Sequence, residues 1–277
     1  MRPPSHHVTG QGEPLLLLSG YAAPATALDV VKAPFSEQFT CITFDYPGSG
    51  VARAPVLTLT IPGLAASAVR LLDHLGYESA HVYGMSMGGL VAQEMAIRFP
   101  ERVRGLVLGA TTPGGRNASH PDPWTLVAGM SAIKSQLEDA RSVRLSGMLY
   151  QGHAAMLHDT STRLDQIQAK TLIIHGEQDV LVPVANGRLL HEGISGSTLK
   201  VLPGASHMYA FDDPSGTAAV VLDWFEQSMP FPDGQQSWRQ RSLEPYSRAL
   251  AVPLGYVRAV CTAGRLTIRP VMRHRLQ

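Results

Sequence analysis

The sequence predicts an α/β protein built on a mostly parallel, doubly wound sheet with a short helical cap. Two observations carry this fold class. Apolar runs of strand length alternate with apolar-periodic stretches of helix length, and a glycine-flanked serine joins one strand directly to one helix. Helices should fall between the strands, including one over residues 61–75 with an apolar face at helical spacing. Strands are expected near residues 15–19, 40–45, 80–84, 105–110, 170–175 and 198–202.

The serine lies in the segment VYGMSMGG at residues 82–89, where a β-like stretch ends and an apolar helical stretch begins. This is the strand-turn-helix context of a G-x-S-x-G nucleophile elbow, in which a serine at positive φ projects its hydroxyl into solvent. Gly84 and Gly88 are expected to let the strand and the helix pass closely. A glycine turn without chemistry has the same composition, but the flanking elements favour Ser86 as a nucleophile.

A serine nucleophile needs a base, and the base needs an orienting acid. Asp179 follows the strand expected at 170–175, and His207 follows the strand expected at 198–202. Open α/β sheets build their sites at the carboxyl ends of parallel strands, so both side chains are expected near Ser86. The order Ser86, Asp179, His207 is more specific than any one of these residues.

Other acids are weaker candidates. Glu177 lies two residues before Asp179 in the same turn and stays open as an alternative acid. Asp212 and Asp213 follow His207 too closely to lie across the site from it.

Of the eleven histidines, five are expected to be packed or solvated. His153 and His158 fall in the segment expected to cover the site. Neither H-E-x-x-H nor C-x-x-C occurs, so neither a metal nor a cofactor is expected. The packed or solvated set includes His6 and His7 near a ragged N-terminus, His74 on a helix, and His81 and His175 at strand boundaries.

The oxyanion of an acyl-transfer intermediate needs two preorganised N–H donors. One is expected from the backbone of Met87, directly after the nucleophile. The other is expected from the loop after the strand at 15–18, where the main chain of Tyr21 is the candidate.

In these motifs the chain resembles the α/β-hydrolase superfamily and, within it, the 3-oxoadipate enol-lactonase-like esterases. The resemblance covers roughly residues 8–229. It rests on FDYPGSG at 44–50, GMSMGG at 84–89, GEQD at 176–179 and GASH at 204–207.

The resemblance implies a role for each candidate. Ser86 would be the nucleophile, His207 the base, Asp179 the orienting acid, and the N–H groups of Tyr21 and Met87 the oxyanion hole. Epoxide hydrolases and haloalkane dehalogenases share the layout but carry Asp as the nucleophile, which disfavours both for this chain.

Three features depart from the family's pattern. Ser19 and Gly20 stand where many relatives have His-Gly. The chain reaches its G-x-G-x-P turn at residues 10–14 almost at once, which leaves open whether the antiparallel strand that usually begins such proteins is present. The segment between residues 111–115 and Lys170 looks shortened relative to a full helical cap, which would leave the site more open to water.

One domain is expected over residues 1–229, with the cap inserted at about 114–168. Residues 123–150 should be helical, and a final helix is expected over 214–229. A one-sided apolar stripe in the cap is expected to pack onto the body rather than touch substrate. It comprises Trp124, Leu126, Val127, Met130, Ile133 and Leu137.

Residues 230–277 carry eight arginines, no lysine and two acidic residues, a net charge of +6, whereas residues 1–229 carry −5. The tail shows no sustained periodicity, and FPDG at 231–234 is a break signal. We expect a poorly ordered extension. Binding of nucleic acid or an acidic partner is disfavoured because the tail lacks aromatic interleaving and a recognised motif.

At 277 residues and 44% hydrophobic content, the chain can bury one substantial core. Cys41 and Cys261 cannot form a disulfide framework, and no signal-type or membrane-spanning apolar run is present. We expect a soluble, cytoplasmic protein with no membrane or nucleic-acid partner, and the sequence does not predict an oligomeric state.

The sequence therefore predicts a cofactor-independent serine hydrolase that cleaves a small carboxylic ester or lactone through an acyl-enzyme. Two other classes stay open. One is a non-hydrolytic enzyme, such as a cyclase or cofactor-free haloperoxidase, that uses the same residues. The other is a catalytically inactive ligand-binding protein.

Overall fold

In the described part of the chain, seven strands form one sheet. They are β1 (His6–Gly10), β2 (Glu13–Leu18), β3 (Phe39–Phe44), β4 (Ala80–Met85), β5 (Val103–Gly109), β6 (Lys170–Gly176) and β7 (Thr198–Leu202). The computed structural model describes residues 4–52, 59–122, 124–125 and 145–229. The strand order is β1-β3-β2-β4-β5-β6-β7, and every neighbouring pair is parallel except β1 with β3. The predicted mostly parallel sheet is confirmed.

Helices lie between the parallel strands. Helix α2 (Ile61–Leu75) has the predicted bounds. It begins at Thr60, whose hydroxyl accepts the N–H of Gly63, and it ends at Gly76, which takes a left-handed φ of 79°. The helices are α1 (Asp29–Lys32), α2 (Ile61–Leu75), α3 (Met87–Arg98), α4 (Leu145–Met156), α5 (Ala185–Gly193), α6 (Tyr209–Asp212) and α7 (Pro214–Ser228).

Both faces of the sheet are buried. In β2, Leu15 and Leu17 contact the apolar cluster that includes residues of α1 and α7, whereas Leu16 and Leu18 contact the cluster of α2 and α3. Successive side chains of a strand point to opposite faces, so the run of four leucines supplies two cores. Helices therefore cover both faces, as a doubly wound fold requires.

The antiparallel strand that the sequence left open is present. β1 pairs with β3 from His6 opposite Phe44 to Gly10 opposite Thr40. The expectation of a ragged N-terminus at His6 and His7 was therefore wrong, because both belong to this edge strand. Their expected packed or solvated state is confirmed, since His6 is half-buried and His7 is exposed. The strand is hard to detect from sequence because it is short and largely exposed, so it shows no alternation of apolar residues.

The turn from β1 to β2 needs glycine. Gly10 has a φ of 86° and Gly12 a φ of 111°. A Cβ built on Gly10 would lie 2.3 Å from the carbonyl oxygen of Phe39, so a side chain there would collide with the neighbouring strand.

The expectations for the cap, for membrane-spanning helices and for the tail have different outcomes. Of the predicted cap, residues 145–156 form α4. Trp124 is 76% exposed, so the expected packing of this residue onto the body was wrong. Among the described helices, none has the length and hydrophobicity that crossing a lipid bilayer requires. The rest of the predicted stripe (Leu126, Val127, Met130, Ile133 and Leu137), Cys261 and the tail at 230–277 lie outside the described residues.

Candidate active site

Ser86 occupies the turn between β4 and α3 with a φ of 53° and a ψ of −121°. This is the positive φ predicted for an elbow serine, and such a conformation costs a non-glycine residue about 1–3 kcal/mol. The surrounding backbone holds it in place. The Ser86 N–H donates to the Gly109 carbonyl at 2.9 Å, and its own carbonyl accepts from the Gly89 N–H and the Thr111 hydroxyl at 2.9 and 2.7 Å.

The glycines around Ser86 permit close packing of the elbow. A Cβ built on Gly84 would lie 2.3 Å from the carbonyl oxygen of Gly88. A Cβ built on Gly88 would lie 2.1 Å from the carbonyl oxygen of Leu18, at the end of β2. Side chains at these positions would separate β4, α3 and β2, so the predicted reason for both glycines is confirmed.

The structure brings the predicted acid and base together. The Oδ2 atom of Asp179 lies 2.7 Å from Nδ1 of His207. The Oδ1 atom of Asp179 accepts the N–H groups of Leu181 and Val182 at 3.0 and 2.8 Å, which fixes the carboxylate plane. His207 is left with its Nε2 atom for chemistry, as a base oriented through Nδ1 requires.

Asp179 is held ionised. Its side chain is buried, and burial alone would raise its pKa. The charge of His207 and the hydrogen bonds from His175, His207 and the Val182 N–H outweigh that effect, and the pKa falls from its ordinary 3.8 to about 2. The acid is therefore a carboxylate at any pH at which the protein is expected to work.

His175 is a second histidine at the acid, and the sequence interpretation placed it only at a strand boundary. Its Nε2 atom donates to the Val182 carbonyl at 2.7 Å and lies 3.4 Å from Oδ2 of Asp179. The ring is completely buried at the end of β6. A signal was available, because His175 directly precedes the G-x-x-D segment that carries Asp179, but a lone histidine at a strand end is usually a packed side chain.

The other candidates have different partners. Glu177, the alternative acid, accepts the N–H of Gly204 at 2.9 Å and thereby ties together the loops after β6 and β7. His158 is buried, with Nε2 3.8 Å from a carboxylate oxygen of Glu94 on α3. Glu94 also pairs with Arg163, so His158 lies beside an ion pair, and its burial lowers its own pKa.

The predicted oxyanion donors flank Ser86. A Cβ built on Gly20 would lie 3.4 Å from Cβ and 3.9 Å from Oγ of Ser86, so the loop that carries Tyr21 runs beside the nucleophile. Met87 is the first residue of α3, so its N–H has no acceptor within that helix. Within the described residues, the N–H groups of Tyr21 and Met87 donate to no protein acceptor.

The hydroxyl of Ser86 and the ring of His207 are not hydrogen-bonded to each other in the described residues. The Ser86 side chain does not cap α3 either. Both side chains are half-buried. Hydrogen bonds to a nucleophile are often long in a site without substrate and tighten in the complex, so the geometry is compatible with a base acting on Ser86.

A cavity of about 660 Å³ borders His207. Its described walls come from the loops at 178–181 and 202–207 and from α6 and α7, and they include neither Ser86 nor Tyr21. This cavity therefore borders the base His207 but not the hydroxyl of Ser86. In the part of the chain that the structure describes, no group of three or more His, Cys, Asp or Glu side chains is placed to hold a metal ion.

Comparison with known proteins agrees with this fold. A family model described as alpha/beta hydrolase fold matches residues 13–131. The chain is 32% identical over 209 residues to 3-oxoadipate enol-lactonase 2 of Acinetobacter baylyi, which covers 66% of this chain and 77% of that protein. It is 27% identical over 255 residues to a poly(3-hydroxyalkanoate) depolymerase of Ectopseudomonas oleovorans, which covers 82% of this chain and 88% of that protein.

Solved structures show the same fold. An esterase from Exiguobacterium antarcticum superposes with a TM-score of 0.71 at 20% identity, covering 80% of this chain and 94% of that one. At this identity the likeness concerns the fold alone.

Proposed function

The chain belongs to the α/β-hydrolase family, and from that premise we propose that it is a serine hydrolase that cleaves a carboxylic ester or lactone through an acyl-enzyme. One observation carries the proposal: Ser86 stands at positive φ on the elbow after β4, and a histidine oriented by a buried carboxylate follows β7, three strands along the same sheet edge. An elbow, a base and an orienting acid together are what nucleophilic acyl transfer requires.

Acylation would begin with attack of Ser86 Oγ on the substrate carbonyl carbon. Nε2 of His207 takes the hydroxyl proton, and Asp179 stabilises the imidazolium that forms. The carbonyl oxygen becomes an oxyanion that accepts from the N–H groups of Tyr21 and Met87. The intermediate then collapses, the bond to the alkoxide breaks, and His207 returns its proton to that leaving oxygen.

Deacylation repeats these steps with water. His207 takes a proton from the water as its oxygen attacks the acyl carbon, and the second intermediate expels Ser86 Oγ, which regains a proton from His207. An open ester gives an alcohol and an acid. A lactone keeps its leaving oxygen tethered, so a single hydroxy acid is released. Neither half-reaction needs a cofactor.

The substrate class rests on chemistry that the named relatives share. A lactone is a cyclic ester, and a poly(3-hydroxyalkanoate) is joined by ester bonds, so a lactonase and a depolymerase both break an ester linkage. The same site geometry serves both. We therefore propose a small molecule with an ester or lactone bond as the partner of this site.

The test is a panel of chromogenic short-chain esters and of lactones, with Ser86→Ala and Ser67→Ala compared. Ser67 lies on α2, away from the site, and is the matched control. Ser86→Ala should lower kcat by about 10⁴–10⁶-fold and abolish fluorophosphonate labelling, while Ser67→Ala changes neither. Ligand binding without turnover would instead favour an inactive binding protein, and label on another serine would refute the assignment.

A further inference from the structure

Helix α4 is fastened to the loop that carries Tyr21 by a buried glutamine. Gln151 has no exposed surface. Its Oε1 accepts the N–H of Ala22 at 2.9 Å, and its Nε2 donates to the Pro47 carbonyl at 3.1 Å and to the Ser49 hydroxyl at 2.9 Å. A single side chain thus joins the loop after β2, the turn after β3 and helix α4 of the predicted cap.

The residue held by Gln151 has an uncommon backbone conformation. Ala22 has a φ of 56°, a left-handed value that an alanine adopts only when its surroundings impose it. Its N–H belongs to the peptide that follows Tyr21. The Gln151 bond therefore sets the orientation of the backbone directly beside the Tyr21 N–H.

A second bond ties the same loop to the same helix. The Tyr21 hydroxyl donates to the Met148 carbonyl at 3.0 Å, and Ala22 packs against Met148 in a small apolar cluster. The backbone of α4 also meets the turn after β3 closely, because a Cβ built on Gly48 would lie 2.3 Å from Cα of Gly147. The loop that carries Tyr21 thus packs directly against helix α4.

We propose that Gln151 is a positioning residue that aims the Tyr21 N–H at the developing oxyanion. This inference rests on the proposed function and adds a structural requirement to it: the oxyanion hole is complete only while α4 is docked. A donor stabilises an oxyanion by its direction as well as by its presence, so a loop released from Gln151 should lose stabilisation of the transition state more than affinity for the substrate.

The sequence offers no signal for this role, since one glutamine in a helix has no characteristic spacing to the elbow. Gln151 lies 129 residues from Ala22, and only the docking of α4 brings them together.

The experiment compares Gln151→Met with Ser49→Ala in the full chain. Gln151→Met keeps the side-chain volume and removes the bond to Ala22. Ser49→Ala removes one partner of Nε2 and leaves both the Pro47 contact and the Ala22 bond in place. Complete loss of an oxyanion donor costs about 10²–10³-fold in kcat, so a misdirected donor should cost about 10–100-fold. KM should change by less than about threefold, and Ser49→Ala should stay within about twofold of the wild type in kcat.

An arylboronic acid supplies a readout that a merely structural role would not move. Its tetrahedral adduct with Ser86 places an oxygen in the oxyanion hole, so Gln151→Met should weaken its inhibition by the same factor as kcat while the thermal midpoint still reports a folded protein. Equal losses in Gln151→Met and Ser49→Ala, or a loss confined to KM, would overturn the inference.

Tyr21→Phe keeps the test decisive if Gln151→Met fails to fold. Tyr21→Phe removes the other hydrogen bond between α4 and the loop, and the Tyr21 side chain is only half-buried. The substitution should lower kcat and boronate affinity together by about three- to tenfold. An unchanged kcat in Tyr21→Phe would then overturn the inference. Absence of Ser86-dependent turnover in the wild-type chain would overturn the proposed function and this inference with it, whereas turnover that both variants leave unchanged would overturn this inference alone.

Discussion

Nδ1 of His207 lies 2.7 Å from Oδ2 of Asp179, with helix α5 and strand β7 between them in the chain. The two residues extend from the ends of β6 and β7, which pair in parallel up to Gly176 opposite Leu202. The contact is therefore a consequence of strand pairing, and it fixes which ring nitrogen of His207 is left for the serine.

This contact predicts how substitutions combine. Asp179→Asn should lower kcat by about 10⁴-fold because the amide favours the wrong tautomer of His207 and cannot stabilise its imidazolium. Since the pair acts as a unit, the double variant Asp179→Asn with His207→Ala should be little worse than His207→Ala alone. Steady-state kinetics on one ester measure both effects.

Glu177→Gln is the matched control, because Glu177 shares the turn and contacts Gly204 rather than His207. Its kcat should stay within a few-fold of the wild type. A silent Asp179→Asn beside an inactive Glu177→Gln would move the acid by two residues.

The parts of the site differ in how well the sequence alone predicts them. The elbow was predictable because its signal is local: glycines, a strand and a helix stand side by side around Ser86. The acid and base were predictable in order and in strand position because parallel strands end at one edge of the sheet. The hydrogen bonds of Gln151 were not, since they depend on long-range packing that leaves no periodicity in the chain. The bond of His175 spans only seven residues, but a lone histidine at a strand end is usually a packed side chain, so the sequence did not distinguish it.

The lowered pKa of Asp179 predicts a pH dependence of stability. A carboxyl whose folded pKa is depressed from 3.8 to about 2 stabilises the folded state fully above the unfolded value, and that contribution is lost as the pH falls towards 2. The difference corresponds to about 2 kcal/mol. Asp179 should titrate between about pH 5 and pH 2. As the pH falls through this range, the free energy of unfolding should therefore fall more steeply in the wild type than in Asp179→Asn.

Urea denaturation at a series of pH values measures this difference, and Glu177→Gln again serves as the control. Parallel curves for the wild type and Asp179→Asn over this range would show that Asp179 is not held ionised by its neighbours.

The bond from His175 to the loop predicts a role in holding the acid. His175→Leu would leave the Val182 carbonyl without its donor and remove one hydrogen bond to Asp179, so the pKa of Asp179 should rise and stability should fall by about 1–3 kcal/mol. We expect kcat to fall by about tenfold, because Asp179 keeps its bonds to His207 and to the Val182 N–H.

His175→Gln is the conservative comparison, since a glutamine can still place an N–H near the Val182 carbonyl. It should recover most of the kcat lost in His175→Leu. Equal activity of both variants and the wild type, measured on the same ester, would restrict His175 to ordinary packing.

The end of α7 predicts where the domain can be cut. Phe225 is completely buried against Phe39 and His81, and the Met229 side chain reaches the backbone of β5, where a Cβ built on Gly105 would lie 2.4 Å from Cε of Met229. The described core is therefore closed by residues up to Met229. Truncation after Met229 should leave ester turnover unchanged and alter the free energy of unfolding by no more than about 1 kcal/mol, the range of ordinary surface changes.

Truncation after Asp223 is the opposing control. It removes Phe225 and the buried Trp224, and loss of one large buried aromatic side chain alone costs about 3–5 kcal/mol, so this shorter chain should unfold or aggregate. Urea denaturation and turnover of one ester compare the two lengths. A +6 segment that bound nothing would change neither stability nor turnover. If the chain ending at Met229 also aggregates, or stays folded without turnover, residues 230–277 therefore complete the core or the cover of the site. The predicted domain boundary at Met229 would then have to be abandoned.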